Sequence, residues 1–296
     1  MQREVPPANA IERIWRGLSR RIHPPQTSAL WVYHRVHPSA RENNTFGLKV
    51  HPDDLRAHWT SLQEKHQFFF ADDLIERYGD MAPRFCLAMT FDDGYVDNYD
   101  HLFPIVRELG IPVTIFLNTD WLGGQNWRLC DLLETCSTEG SLLKEELLST
   151  AWRTHHLKPE EILDLARARW HKELASKPTQ HDDCIGLTIE QVKEMASSGL
   201  VRFEAHGHQH LCHQDVSREE VTQDLRVNLE QIERITGRRP KGMAYPFGRI
   251  NDVHSDAISV NEDLGLKWGL LASNGSSSPH THPQLMDRRD PPPFSA

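Results

Sequence analysis

The run Phe85–Phe91 (FCLAMTF) is apolar at nearly every position and stops abruptly at Asp92-Asp93-Gly94. A short, continuous apolar run bounded by turn residues reads as a strand buried on both faces, the habit of parallel sheets covered by helices. Two acids and a glycine at the end of such a strand are costly to place by chance, so they call for a chemical explanation.

The same kind of run recurs along the chain. Ala29–Tyr33 (ALWVY), Phe68–Phe70, Ile111–Leu117 (IPVTIFL), Val201–Ala205, Gly242–Tyr245 and Lys267–Ala272 all read as short strands. Between them lie helical patterns with start and stop signals. Pro52-Asp53-Asp54 opens one with Leu55, Trp59 and Leu62 on one face, a second lies near Asp72–Tyr78, and His101–Leu109 closes at Gly110. Thr188 with Gln191, and Ser217 with Glu220, fit capping boxes for helices that run to Gly199 and to about Thr236, and Asp252–Leu264 supplies one more. Alternating strands and helices with short turns predict an α/β chain whose parallel sheet is wrapped by helices, a (β/α) barrel in a domain of this size.

Residues 121–187 break the rhythm: they are polar, helical in pattern and without a convincing strand, and so read as an insertion. Residues 1–28 form a basic helical segment around Ile11–Arg21, read as a surface helix with solvated charges, and residues 291–296 form a proline-rich tail. A formal charge of -9 argues against a nucleic-acid partner. No stretch approaches the roughly 18 apolar residues of a membrane helix, and no signal-peptide pattern opens the chain, so the expectation is a soluble, cytoplasmic protein. The five cysteines form no C-x-x-C pair and read as reduced packing residues.

Histidine is abundant, 18 in all, and clusters at residues 206–213. In a (β/α) barrel the C-terminal ends of the strands converge on one mouth, and three polar groups lie at such ends: Asp92-Asp93, the His206/His208/His210 cluster, and the Pro246-Phe247-Gly248 turn. Two histidines and a carboxylate are a common ligand set for a divalent metal with positions left open. Asp92 and Asp93 point opposite ways on extended backbone, so one is expected to ligate and the other to act as base, unless the strand has already ended. His208 and His213 are expected to lie beside the ligand set or at the surface, and not in it.

Thr90-Phe91-Asp92-Asp93-Gly94 resembles the TFDDG motif of polysaccharide deacetylases, the NodB homology or carbohydrate esterase family four. His206-Gly207-His208-Gln209-His210 is similar to that family's H-x-x-x-H motif, Ala244-Tyr245-Pro246-Phe247-Gly248 to its AYPYG form, and Tyr33-His34-Arg35-Val36 to its YHRV segment. The four occur in the family's order across residues 29–290. The resemblance implies a distorted, NodB-like barrel of about seven strands that removes N-acetyl groups from the amino sugars of a polysaccharide, oligosaccharide or glycan precursor. It implies Asp92 as general base, Asp93, His206 and His210 as ligands to one divalent metal, Zn2+ before Co2+, Ni2+ or Mn2+, and Tyr245 and Phe247 on the substrate and oxyanion side.

Two departures accompany the resemblance. Ala244 stands where RPPYG-type members carry the arginine that orients the catalytic aspartate; Arg288, in a segment resembling the family's LPRID, is the expected substitute, ahead of His34 and Arg35. The family's late L-x-L-H histidine, its general acid, has no counterpart, which leaves the acid unassigned. A non-sugar amide hydrolase and a catalytically weak carbohydrate-binding protein are the alternative readings.

Overall fold

The computed structural model describes residues 28–124 and 185–292, apart from 43, 45–46, 79–84, 254, 276 and 278–280. The basic segment Ile11–Arg21, most of the insertion with Trp127, the cysteines Cys130, Cys136 and Cys184, His280 and the last residues of the tail lie outside the described residues.

In chain order the elements are β1 (Ala29–Tyr33), β2 (Arg35–Val36), β3 (Lys49–Val50), α1 (Pro52–Gln63), β4 (Gln67–Phe69), α2 (Ala71–Tyr78), β5 (Cys86–Phe91), α3 (Phe103–Leu109), β6 (Val113–Leu117), α4 (Ile189–Ser197), β7 (Val201–Ala205), α5 (Arg218–Thr236), β8 (Gly242–Ala244), α6 (Ser255–Asp263), β9 (Trp268–Leu271) and β10 (Met286–Asp287). The main sheet runs β1-β5-β6-β7-β8-β9-β10, parallel throughout, with β4 beside the first half of β5. Val32 N–H donates to Arg289 O and Arg289 N–H to Leu30 O, each at 3.1 Å, so the chain just past β10 meets β1 and the seven-strand sheet comes round nearly closed.

Both predicted capping boxes are made, at Thr188/Gln191 and Ser217/Glu220. The differences from the sequence pattern are local. Phe85 takes a left-handed turn (φ 71°), so β5 starts one residue later than its apolar run. The helix predicted from His101 is preceded by a π-turn at Asn98–Leu102, and the one predicted over 252–264 divides into a 3₁₀ turn (Ile250–Asp252) and α6. The two-residue strands β2, β3 and β10 are too short to leave a periodic signal.

Strand alternation sorts the side chains into two populations. Leu30, Cys86, Ala88, Phe116, Ala244, Trp268, Leu270 and Met286 pack together inside the barrel with Ala71 and Leu74 of α2. Their neighbours Trp31, Leu87, Met89, Phe91, Ile115 and Phe203 face the helices. Counting on by twos from the interior residues brings Asp92, Asn118 and Arg288 to the C-terminal end of the barrel, and the same rule takes Glu204 to His206. The period of the strand thus aims the chemistry inward before any loop is considered.

Candidate active site

β5 ends at Phe91, so Asp92 and Asp93 escape the opposed directions of extended backbone. Asp92 is still anchored, its N–H donating to Tyr33 O (2.9 Å), whereas Asp93 takes a left-handed conformation (φ 74°). Gly94 follows at φ 78°, where a Cβ would strain the left-handed backbone and lie 2.3 Å from Leu117 Cδ1, so a larger residue would have to displace that side chain. The turn swings Asp93 toward the histidine loop while Asp92 stays over the barrel axis.

Asp93 Oδ1 lies 3.4 Å from His206 Nε2 and 3.4 Å from His210 Nε2. The ligand-capable atoms of the three residues lie within 4.8 Å of one another, the one such set of three among the described residues. His206 Nδ1 is 2.8 Å from Ala244 O; that bond fixes the proton on Nδ1 and leaves Nε2 a lone pair aimed at Asp93. Asp93 Oδ1 is buried without a hydrogen-bond partner. An anionic oxygen taken out of water and facing two imidazole nitrogens fits a cation between them. Burial pushes the Asp93 carboxyl up; His206 and His210, when they carry protons on the facing nitrogens, more than reverse this and hold it below the usual carboxylate range, a positive charge that a cation would supply in their place.

Beside this set, Arg288 grips Asp92 with both prongs: Nη1 to Oδ1 at 2.6 Å and Nη2 to Oδ2 at 2.7 Å. Arg288 is itself held by Leu271 O (3.1 Å), Thr90 Oγ1 (3.1 Å) and the face of Phe116, and is fully buried. Burial raises the Asp92 carboxyl and the Arg288 charge lowers it; the balance lies below the usual range, so Asp92 is ionised at neutral pH.

The polysaccharide deacetylase family model matches residues 79–268, more than half of the chain. The chain belongs to the polysaccharide deacetylase family. The poly-beta-1,6-N-acetyl-D-glucosamine N-deacetylase of Staphylococcus epidermidis is 21% identical over 205 residues, which cover 67% of this chain and 51% of that protein; the chain thus spans about half the length of that relative. Among solved structures, Streptococcus pyogenes deacetylase PplD in complex with acetate aligns with a TM-score of 0.62 at 17% identity, covering 92% of this chain and 96% of that one. IcaB from Ammonifex degensii aligns at 0.60 and 15%, covering 90% and 93%. These likenesses establish the shared barrel fold.

At this barrel mouth the structure brings together Asp92, Arg288, Asp93, His206, His210 and Phe247, whose ring meets His210 edge-on at 4.8 Å. Asp93, His210 and Phe247 are three of the five described non-glycine residues with positive φ, so the backbone is strained where the site is built.

Tyr245 is a correction. Alternation from Met243 turns its ring outward into the core under α5 and α6, where its hydroxyl donates to Gln284 O (2.9 Å) and accepts from Asn261 Nδ2 (2.9 Å). Its side chain is a packing group and does not reach the substrate side. Trp121 is also buried; its indole N–H donates to Asp93 O (3.0 Å) and so steadies the Asp93 turn. Arg35 pairs with Asp97 (2.7 Å) and is thereby removed from any part in orienting Asp92. His208 faces Thr119 Oγ1 (2.9 Å), and His213 is buried against Tyr245, both apart from the ligand set as expected.

His34, placed behind Arg288 as a partner for Asp92, lies beside it: its Nε2 is 4.0 Å from Asp92 Oδ2, with the side chain about 28% exposed. Its carbonyl is held by Asn98 Nδ2 (3.0 Å) from the π-turn, a distortion common beside functional groups.

Proposed function

We propose that this protein hydrolyses N-acetyl groups on amino sugars of a polysaccharide or oligosaccharide, releasing acetate and a free amine. The observation that carries the reading is the pairing of a buried, arginine-clamped Asp92 with the Asp93-His206-His210 set at one barrel mouth. The activities in the relatives' names, deacetylation of poly-beta-1,6-N-acetyl-D-glucosamine among them, support the same reaction class.

Asp93, His206 and His210 would hold a divalent cation, for which Zn2+ is the first choice given nitrogen and carboxylate donors. When bound, the cation supplies Lewis acidity to the acetamide carbonyl and to the attacking water. Asp92 accepts the proton of that water as its oxygen bonds to the carbonyl carbon; Arg288 keeps the carboxylate ionised and aimed. We assign the Phe247 N–H, carried on the left-handed turn beside His210, to the oxyanion. His34 then donates a proton to the sugar nitrogen as the C–N bond breaks, filling the role of the general acid that the sequence leaves unassigned. The amine leaves on the sugar and acetate remains to depart.

The test is acetate release from N-acetylated oligosaccharides of β-1,4 and β-1,6 linkage by Zn2+-loaded protein. Release that Asp92→Asn abolishes is the expected result. No release from any member of the panel, with metal binding intact, would move the reading to another amide or to a binding role.

A further inference from the structure

The loop that carries both imidazoles, residues 206–210, belongs to no helix or strand, so its backbone groups must find partners elsewhere. Asp224, on α5, accepts the N–H groups of His208 and Gln209, each at 2.8 Å. One helical turn on, Asn228 accepts His206 N–H (3.3 Å) and donates to Leu117 O (2.9 Å) and Thr119 Oγ1 (3.1 Å). From the end of β6, Asn118 donates to His206 O (2.6 Å) and Gly207 O (3.0 Å). Asp224 and Asn228 lie in the apolar stripe of α5, between Val221, Leu225, Leu229 and Ile232, and both are buried. A helix that spends two core positions on polar side chains does so where they are satisfied, and here the partners are the ligand loop.

The contact with Asp224 is also close. Gly207 has φ 79°, and a Cβ there would lie 2.7 Å from Asp224 Oδ2. Glycine therefore lets the loop fold down onto the carboxylate, which then fixes the two N–H groups that follow. His210 comes next at φ 57°, and its ring completes the set with His206 and Asp93.

We infer that Asp224, with Asn228 and Asn118, is a positioning residue that sets metal affinity by fixing the spacing of His206 and His210. The inference rests on the reading of Asp93, His206 and His210 as metal ligands. Asp224→Asn keeps the volume but exchanges one acceptor for a donor facing an N–H group, so the loop loses one anchor while α5 stays in place.

The experiment measures Zn2+ affinity by competition with a chromophoric chelator, the visible spectrum of the Co2+-loaded protein, and the unfolding midpoint of the metal-free form. Wild type, Asp224→Asn and Leu225→Ala are compared, the last a core variant of the same helix without a bond to the loop. Asp224→Asn is expected to weaken Zn2+ binding about 10- to 100-fold and to alter the Co2+ spectrum. Leu225→Ala is expected to lower the unfolding midpoint with affinity unchanged. Wild-type affinity in Asp224→Asn, or an equal loss in Leu225→Ala, would overturn the inference and leave the metal site standing. Absence of Zn2+ binding by wild type would overturn the site itself. Should Asp224→Asn not fold, Asn118→Ser removes the anchor on the opposite side of the loop and is read by the same criteria.

Discussion

Arg288 and Asp92 are 196 residues apart in the chain and meet as a two-pronged pair inside the barrel, at 2.6 and 2.7 Å. The pair brings an arginine to Asp92 from the exit of the last strand, while the Ala244–Gly248 motif carries none. Arg288→Met leaves the buried carboxylate without its counter-charge, so its pKa rises toward and past the ordinary range. Activity should then be lost at higher pH as the solution is acidified: the acid limb of kcat/KM moves toward neutrality, with a fall of about 100-fold or more at pH 6. Arg288→Lys restores charge without the fork and should fall between the two. A pH profile identical to wild type in Arg288→Met would rule this role out.

Removal of the ligand set has a readout in stability. A ligand that binds only the folded state raises stability by RT ln(1 + [L]/Kd), about 2.7 kcal/mol at a hundredfold excess over Kd. Zn2+ should therefore raise the unfolding temperature of wild type, and EDTA should reverse the rise. In His206→Ala and Asp93→Asn the response should vanish, because each removes one of the three proposed ligands, the one such set among the described residues. A Zn2+ response that persists in both variants would place the ion elsewhere.

Much of this arrangement is legible in the sequence. The apolar runs that stop at Asp92, His206 and the Pro246 turn showed where the barrel mouth lies, because a buried strand has one polar exit and strand order brings those exits together. Tyr245 differs because motif proximity does not decide direction: with Met243 facing outward, alternation turns the ring two positions later outward as well. Asp224 and Asn228 left a faint signal, two polar residues on the apolar stripe of an otherwise amphipathic helix. His34 left none that decides its role, since nothing local shows that the end of β1 lies against Asp92; parallel pairing of Tyr33 with Phe91 does.

His34→Asn tests the proton donor. His34 makes no part of the Asp93-His206-His210 set, so Zn2+ affinity should stay within about twofold of wild type. Removal of a general acid typically lowers the rate by about 100- to 10,000-fold. The loss should shrink for an acetyl ester whose alcohol leaves readily, because a good leaving group needs no proton. An equal loss on amide and activated ester would assign His34 to substrate binding instead.

His213 makes stability depend on pH in a separate way. Its ring is enclosed, with Nδ1 lacking a hydrogen-bond partner, and lies edge-on to Tyr245 at 5.7 Å. Burial first, and the neighbouring His206 second, push its pKa down to about 4, against about 6.5 in an unfolded chain. The unfolded state therefore binds the extra proton between these values. The folded state keeps its full advantage above about pH 6.5 and loses it as the pH falls toward 4. Between pH 7.5 and 5 the loss from this one residue is about 2 kcal/mol. Urea unfolding of the metal-free protein at both pH values should show wild type losing about that much more stability than His213→Phe, whose ring cannot titrate. Equal losses in the two proteins would mean that His213 is protonated in the fold, and the enclosed, neutral ring would have to be abandoned.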